Sequence, residues 1–309
     1  MASELGTSLG RWLIVALGAA LVAGCGGGGD GSGGNGGAGG SGGSGGGGSG
    51  GGGPNLLDVE VAFEGRVGDE AFDCGKTYTA GSASTEVRIS DFRLYVHDVR
   101  LLRKDGSDVP VELTQDGLWQ HENLALLDFE NKAGACANGT SETNTTIKGR
   151  VQAGSYQGIT FKVGVPFELN HGDAAAAPSP LNLSALFWNW NGGYKFLRVD
   201  AAPTAGGGAF NVHIGSTGCT EDASGAVTAC ERPNRPEVRL TDFDPLMSKI
   251  VVDYAALVAE NDVSQNVDGA PGCMAGFDDT ECQAVMGRLG IHVDDGSVHP
   301  DEQKLFVAE

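Results

Sequence analysis

Residues 26–53 contain 21 glycines, and most of the remainder is serine. Such a stretch has no apolar area to bury, so it stays a flexible coil that sets reach, not shape. Whatever folds must therefore lie in residues 54–309, enough for one large domain or two small ones. Lys and Arg number 20 against 40 Asp and Glu, a formal charge of −20, which argues against binding a nucleic-acid backbone. Beyond the leader no run of 18 apolar residues occurs, so no membrane-spanning helix is expected in the mature chain.

The leader itself reads as an address. Arg11 precedes the apolar stretch 12–23, too short to span a bilayer, and LVAGC (21–25) follows. This resembles a bacterial lipobox, with Cys25 acylated after cleavage behind Gly24. Acyl chains there would hold the protein to a membrane. With Gly26 and Gly27 next, and no Asp of the kind that retains lipoproteins in the inner membrane, the expected location is the outer membrane, on its periplasmic face or at the cell surface. The expected organisation is a signal peptide over 1–25, a tether over 26–53 and a β-rich domain over 54–309, with an acidic extension from about 259.

Six cysteines remain: Cys74, Cys136, Cys219, Cys230, Cys273 and Cys282. An even count in an exported chain favours disulfides. Local closure favours Cys219 with Cys230 and Cys273 with Cys282, leaving Cys74 for Cys136. Full oxidation excludes thiolate ligation of a metal.

Leu57, Val59, Val61 and Phe63 alternate with polar residues, the period of a half-buried strand. Further strands are expected over 87–102, 109–113, 149–153, 159–165, 194–200, 210–214, 238–240, 250–254 and 305–308. In the second strand the apolar parity changes from even (Phe92, Leu94, Val96) to odd (Val99, Leu101), which predicts a bulge near Asp98. Short helices are expected over 182–188, 253–258 and 280–289. Many strands without regular strand–helix alternation predict an all-β fold, an antiparallel sandwich or open barrel with a few short helices. Beyond the leader and the glycine-rich tether, the latter carrying G-x-S-x-G from composition alone, there are no G-x-S-x-G, H-E-x-x-H, P-loop or C-x-x-C-H motifs, so no enzymatic turnover is expected. The carboxylates of Asp242, Asp244, Asp294 and Asp295 read as ordinary turns.

Five segments carry more information: SDFRLYVHDVRLL (90–102), LLDFE (126–130), VPFELNH (165–171), FWNWNGGYKF (187–196) and HIGSTGC (213–219). In this order they resemble the MbnP-like copper-binding family, also called the metallo-mystery pair four-Cys motif family and associated with methanobactin operons. The resemblance implies a secreted or lipid-anchored β-rich protein paired with a MauG-like diheme protein of the cytochrome c peroxidase family, MbnH-like in type. That partner oxidises a tryptophan to kynurenine, and copper then binds. The chain departs from the pattern in having six mature cysteines instead of four. The segment after Val258, with Cys273 and Cys282, is the part least covered by the resemblance.

Tryptophan offers an indole N–H and no lone pair to a metal. Trp188 or Trp190 could therefore ligate copper only after ring opening yields an aniline nitrogen. Imidazole suits copper, which makes His97 and His213, both on strand-like segments that could be neighbours, the leading candidates. His171 is a further one, and Trp119 with His121 a reserve pair. The ordinary reading of these residues is core aromatics and hydrogen-bonded strand histidines, and His292 and His299 read as solvated. The alternative function is a structural or adhesive lipoprotein whose aromatic cluster binds glycans or only fills the core.

Overall fold

The computed structural model describes residues 55–189, 191–267, 269–276 and 278–309. The leader, Cys25, the glycine-rich tether and Trp190 lie outside the described residues. Residues 52–309 form one compact unit, and within it two sheets face each other as a sandwich-like fold.

The smaller sheet runs Phe306–Ala308, Lys249–Asp253, Leu56–Val67, Thr146–Gln152, Glu112–Leu113, with Glu70–Ala71 paired to the long central strand. Leu56–Val67 buries Val59, Val61 and Phe63 and exposes Asp58, Glu60 and Ala62, as the alternation predicts, whereas Leu57, at the strand's start, is 50% exposed. The larger sheet is built on the 19-residue strand Thr85–Arg103. Phe161 of the larger sheet wedges between Phe63 and Phe306 of the smaller, with ring centroids at 5.8 and 5.2 Å, so aromatic edges join the layers. The chain end returns to pair with Lys249–Asp253, so the acidic extension from about 259 is woven into the domain. Two pairings are parallel, Leu56–Val67 with Lys249–Asp253 and Phe210–Ile214 with Gly272–Cys273; all others between named strands are antiparallel.

The bulge expected from parity lies at Asp98. Thr160 pairs with Arg100 but Lys162 with His97, and Asp98 takes φ 51°. The three disulfides join the expected partners, Cys74–Cys136, Cys219–Cys230 and Cys273–Cys282.

The segment 182–188 is not a helix. It holds one 3-10 turn, Ser184–Leu186, and then the strand Phe187–Asn189, paired with Gly193–Tyr194. The Asn189 side chain accepts the Gly192 N–H at 2.7 Å and closes the hairpin, so turn chemistry outweighs the apolar spacing. The hairpin Thr217–Glu221 with Val227–Arg232 has no apolar alternation to announce it; Cys219 and Cys230 sit directly opposite each other and staple it. The other two helices appear as Tyr254–Leu257 and Thr280–Arg288, the second capped by the Asp279 side chain.

Candidate functional site

The long strand changes partner part-way along one edge. Residues Val87 to Leu94 pair with Leu197–Pro203, and Val96 to Arg103 pair with Tyr156–Val163. At the hand-over the Tyr95 N–H donates to Phe196 O and the Gly164 N–H donates to Tyr95 O, each at 2.8 Å. The two partner strands separate there, and the VPFELNH and GYKF segments leave from the gap.

His97 lies two residues past this point and is 6% exposed. Its Nδ1–H donates to the Gly164 carbonyl at 2.9 Å, a bond that assigns the tautomer and leaves the lone pair on Nε2. Burial pushes its pKa down to about 4, more than the Gly164 carbonyl raises it, and Arg235 and Lys162 add to the lowering. At neutral pH the ring is an uncharged base. Gly164 itself has φ 126°, and a Cβ there would meet the Phe196 ring at 2.8 Å, so only glycine lets this carbonyl approach.

Sequence reading did not single out Asn170, yet it organises the next part of the site. It is fully buried, its Oδ1 accepts from the Tyr194 N–H at 3.0 Å, and its amide nitrogen lies 3.1 Å from His171 Nε2. The Tyr194 bond fixes the amide orientation, so the amide donates to Nε2 and the His171 proton sits on Nδ1. Gly193, at φ 75°, presses on this amide so closely that a Cβ would come within 2.4 Å of it. The signal available in sequence was the pairing of LNH with GGY: a short amide and a bare glycine. The hairpin held this way carries Trp188. Its half-buried indole lies over Gly215, where a Cβ would meet the ring at 2.5 Å. Asn191 on the same hairpin donates to Glu221 at 2.6 Å, and Cys230 Sγ lies 3.6 Å from His171 Nε2. His171, Trp188 and the Cys219–Cys230 hairpin thus share one neighbourhood.

His213 stands elsewhere. It is opposite Arg198, which is opposite Arg93, in one row across three strands. Arg93 pairs with Asp91, Arg198 Nε reaches Asp91 at 3.1 Å and Arg198 Nη2 reaches Asp200 at 2.6 Å. His213 Nε2 donates to Asp200 at 2.5 Å. Burial alone would raise the Asp200 pKa, but the hydrogen bonds from His213 and Arg198 prevail and hold it at about 2. Arg93 and His97 are four residues apart on one strand, roughly 13 Å at ~3.3 Å per residue, so the row containing His213 runs far from His97. The convergence of His97 and His213 expected from the sequence is not what the sheet register gives.

Among the described residues, three or more candidate ligand atoms come within 4.8 Å of one another in two places: His171 with Cys219 and Cys230, and His292 with His299 and Glu302. In the first, both sulfurs are joined in the disulfide, so only the imidazole remains to ligate. The reserve residue His121 follows His97 across Leu124, two strand spacings away, and lies 3.6 Å from Glu122. Trp119 is partly buried against the core. His97, at the partner-strand gap, and His171, beside the tryptophan hairpin, are nitrogen donors without thiolates, a chemistry that fits copper or zinc better than a hard oxygen-seeking cation.

The family model for MbnP matches residues 57–275. A solved structure, MbnP from Methylosinus trichosporium, is 29% identical and superposes with a TM-score of 0.73, covering 82% of this chain and 98% of that one. No curated protein matches the chain. The match spans the strands that make the gap, the LNH turn, the tryptophan hairpin and two of the three disulfides, and agreement in sequence and fold over that length makes the chain a member of the MbnP family.

Proposed function

We propose that this chain is an exported, methanobactin-associated copper-binding protein, and that it performs no turnover itself. Supporting this reading is family membership together with one observation: His97 is a buried, neutral imidazole whose Nδ1–H is spent on a carbonyl, the orientation in which Nε2 serves a metal. His171 is the second imidazole of the proposed site, and a metal at its Nε2 would displace the Asn170 amide. The third donor is the aniline nitrogen of a kynurenine formed from Trp188 or Trp190. Copper, when bound, supplies a Lewis-acidic centre that prefers such nitrogen donors. His213, tied into the charged row, is assigned to structure.

The chain has no C-x-x-C-H haem attachment motif and no recognisable flavin site, so ring opening falls to a MauG-like diheme partner. The partner's approach runs over the hairpin turn, where Asn189 is exposed beside the half-buried Trp188. A lipid on Cys25 and the tether 26–53 would hold the domain at the outer membrane with reach to meet that partner.

Peptide mass spectrometry of protein from its native host tests the modification: one tryptophan should have gained two oxygens and lost CO. Competition titration tests the ligands. His97→Ala and His171→Ala should each weaken copper by more than the roughly 10–100-fold expected of an outer-sphere change. Intact tryptophans in host protein that binds copper as tightly as recombinant protein would sink the kynurenine donor. Unchanged affinity in both histidine variants would sink the site.

A further inference from the structure

The second cluster of ligand atoms lies beyond residue 275, where the family match ends. We propose that His292, His299 and Glu302 form a surface site for a divalent ion of the zinc(II) type, with its fourth position open to water.

The backbone sets the positions of the three residues. His292 N–H donates to Ser297 O at 3.0 Å and Gly296 N–H to His292 O at 2.7 Å, which closes a tight loop. His299 N–H donates to Gly290 O at 2.7 Å and Glu302 N–H to His299 O at 3.0 Å, so all three side chains hang from hydrogen-bonded turns. Gly290 sits at φ 73°, and a Cβ there would lie 2.4 Å from the His299 carbonyl, so the crossing is built for glycine.

The side chains then converge. The two imidazoles stack with centroids 4.0 Å apart and planes 21° apart. Glu302 Oε2 lies 2.8 Å from His292 Nε2, and Oε1 lies 4.0 Å from His299 Nδ1. Tetrahedral zinc with bonds near 2.1 Å separates its ligand atoms by about 3.4 Å, and here each imidazole approaches a different oxygen of the one carboxylate. Ser297 Oγ, 2.9 Å from His299 Nε2, holds that ring with Nδ1 toward the carboxylate, the kind of outer contact that orients a metal-binding imidazole. A simple ion pair between His292 and Glu302 explains the shortest contact, but it requires neither the stacked second ring nor the serine that orients it. The side chains are 45%, 41% and 53% exposed, which gives the ion a way in and leaves room for one ring to turn out of the stack, the movement needed for both in-plane lone pairs to meet one ion.

Zinc(II) titration of the full recombinant chain, followed by isothermal calorimetry, tests the assignment. The wild type should take one equivalent that His292→Ala and His299→Ala each lose and that Glu302→Gln weakens about tenfold. The same equivalent should persist in a His97→Ala/His171→Ala chain, which separates this site from the proposed copper site. In nuclear magnetic resonance of the imidazole nitrogens, zinc should shift two of the six histidines. If the three tail variants bind as many equivalents as the wild type at unchanged affinity, or if the double variant alone loses the equivalent, the proposal is overturned.

Discussion

His97 and His213 are equally hidden, each 6% exposed, and both belong to the larger sheet. Their surroundings are opposite in character. His97 faces a lone carbonyl, with Arg235 and Lys162 disfavouring its cation, so it is buried as a neutral base. His213 ends a row of alternating charges in which two arginines and two aspartates are already matched. Equal burial therefore gives one histidine available as a base and another committed to holding strands together. Burial and strand alternation alone cannot distinguish them; what lies opposite in the register does.

The largest expected effect comes from breaking the charged row. Arg93 is 2% exposed, donates to Asp91 and approaches Glu130 at 3.8 Å. Arg93→Met would leave those carboxylates short of a guanidinium, although Arg198 still reaches Asp91. Loss of one partner of a buried ion pair costs ~3–5 kcal/mol, and the urea midpoint should fall accordingly. A loss below ~1 kcal/mol would mean that the row contributes geometry without stability.

Next in size is the pH response of His97. Its pKa is about 4 folded against an ordinary 6.5, so below pH 6.5 the unfolded chain binds the proton more readily. The stability of the neutral form is fully present above 6.5 and is lost as pH falls from 6.5 towards 4. The full span corresponds to about 3 kcal/mol at ~1.4 kcal/mol per pH unit. Asp128 works in the opposite sense: burial raises it to about 7, so its contribution falls as pH rises from 3.8 to 7. The wild-type slope alone is therefore ambiguous, and the variant difference is what reads His97. His97→Asn keeps a donor for Gly164 and removes the titration. Urea unfolding should show the variant losing less stability than the wild type between pH 6.5 and 4, and parallel curves would contradict the assignment.

Much of this contrast was hidden in the sequence for identifiable reasons. The strands were legible because Val59, Val61 and Phe63 alternate, and the bulge at Asp98 because parity switches across it. The disulfides were legible from their spacing. Local patterns report which face a residue takes, but the charged row depends on Arg198 standing opposite both Arg93 and His213, which is a matter of long-range register. Asn170 escaped notice because its partners, Tyr194 and Gly193, lie on a later hairpin. That hairpin was in turn obscured by apolar spacing in 182–188 that mimics a helix turn, and the hairpin at 217–232 by having polar residues on both faces. The proposed copper site inherits the same division. Its residue types could be read from the motifs, whereas the preference for His97 and His171 over His213 rests on hydrogen bonds that only the fold provides.

The smallest effect is expected at His213, and it turns on which nitrogen is replaced. Its Nε2–H donates to Asp200, and the amide nitrogen of glutamine reaches a similar position from the same backbone. His213→Gln should therefore keep the donor and cost less than about 1 kcal/mol. His213→Leu removes it, leaving Asp200 with Arg198 alone, and should cost ~1.5–3 kcal/mol, the usual range for a hydrogen bond to a charged group. Thermal unfolding of the two variants side by side measures the difference. Because His213 serves the row and not the metal in this reading, His213→Gln should also leave copper affinity within tenfold of the wild type. A loss above about 100-fold in a variant that remains stable would return His213 to the ligand set and erase the contrast with His97.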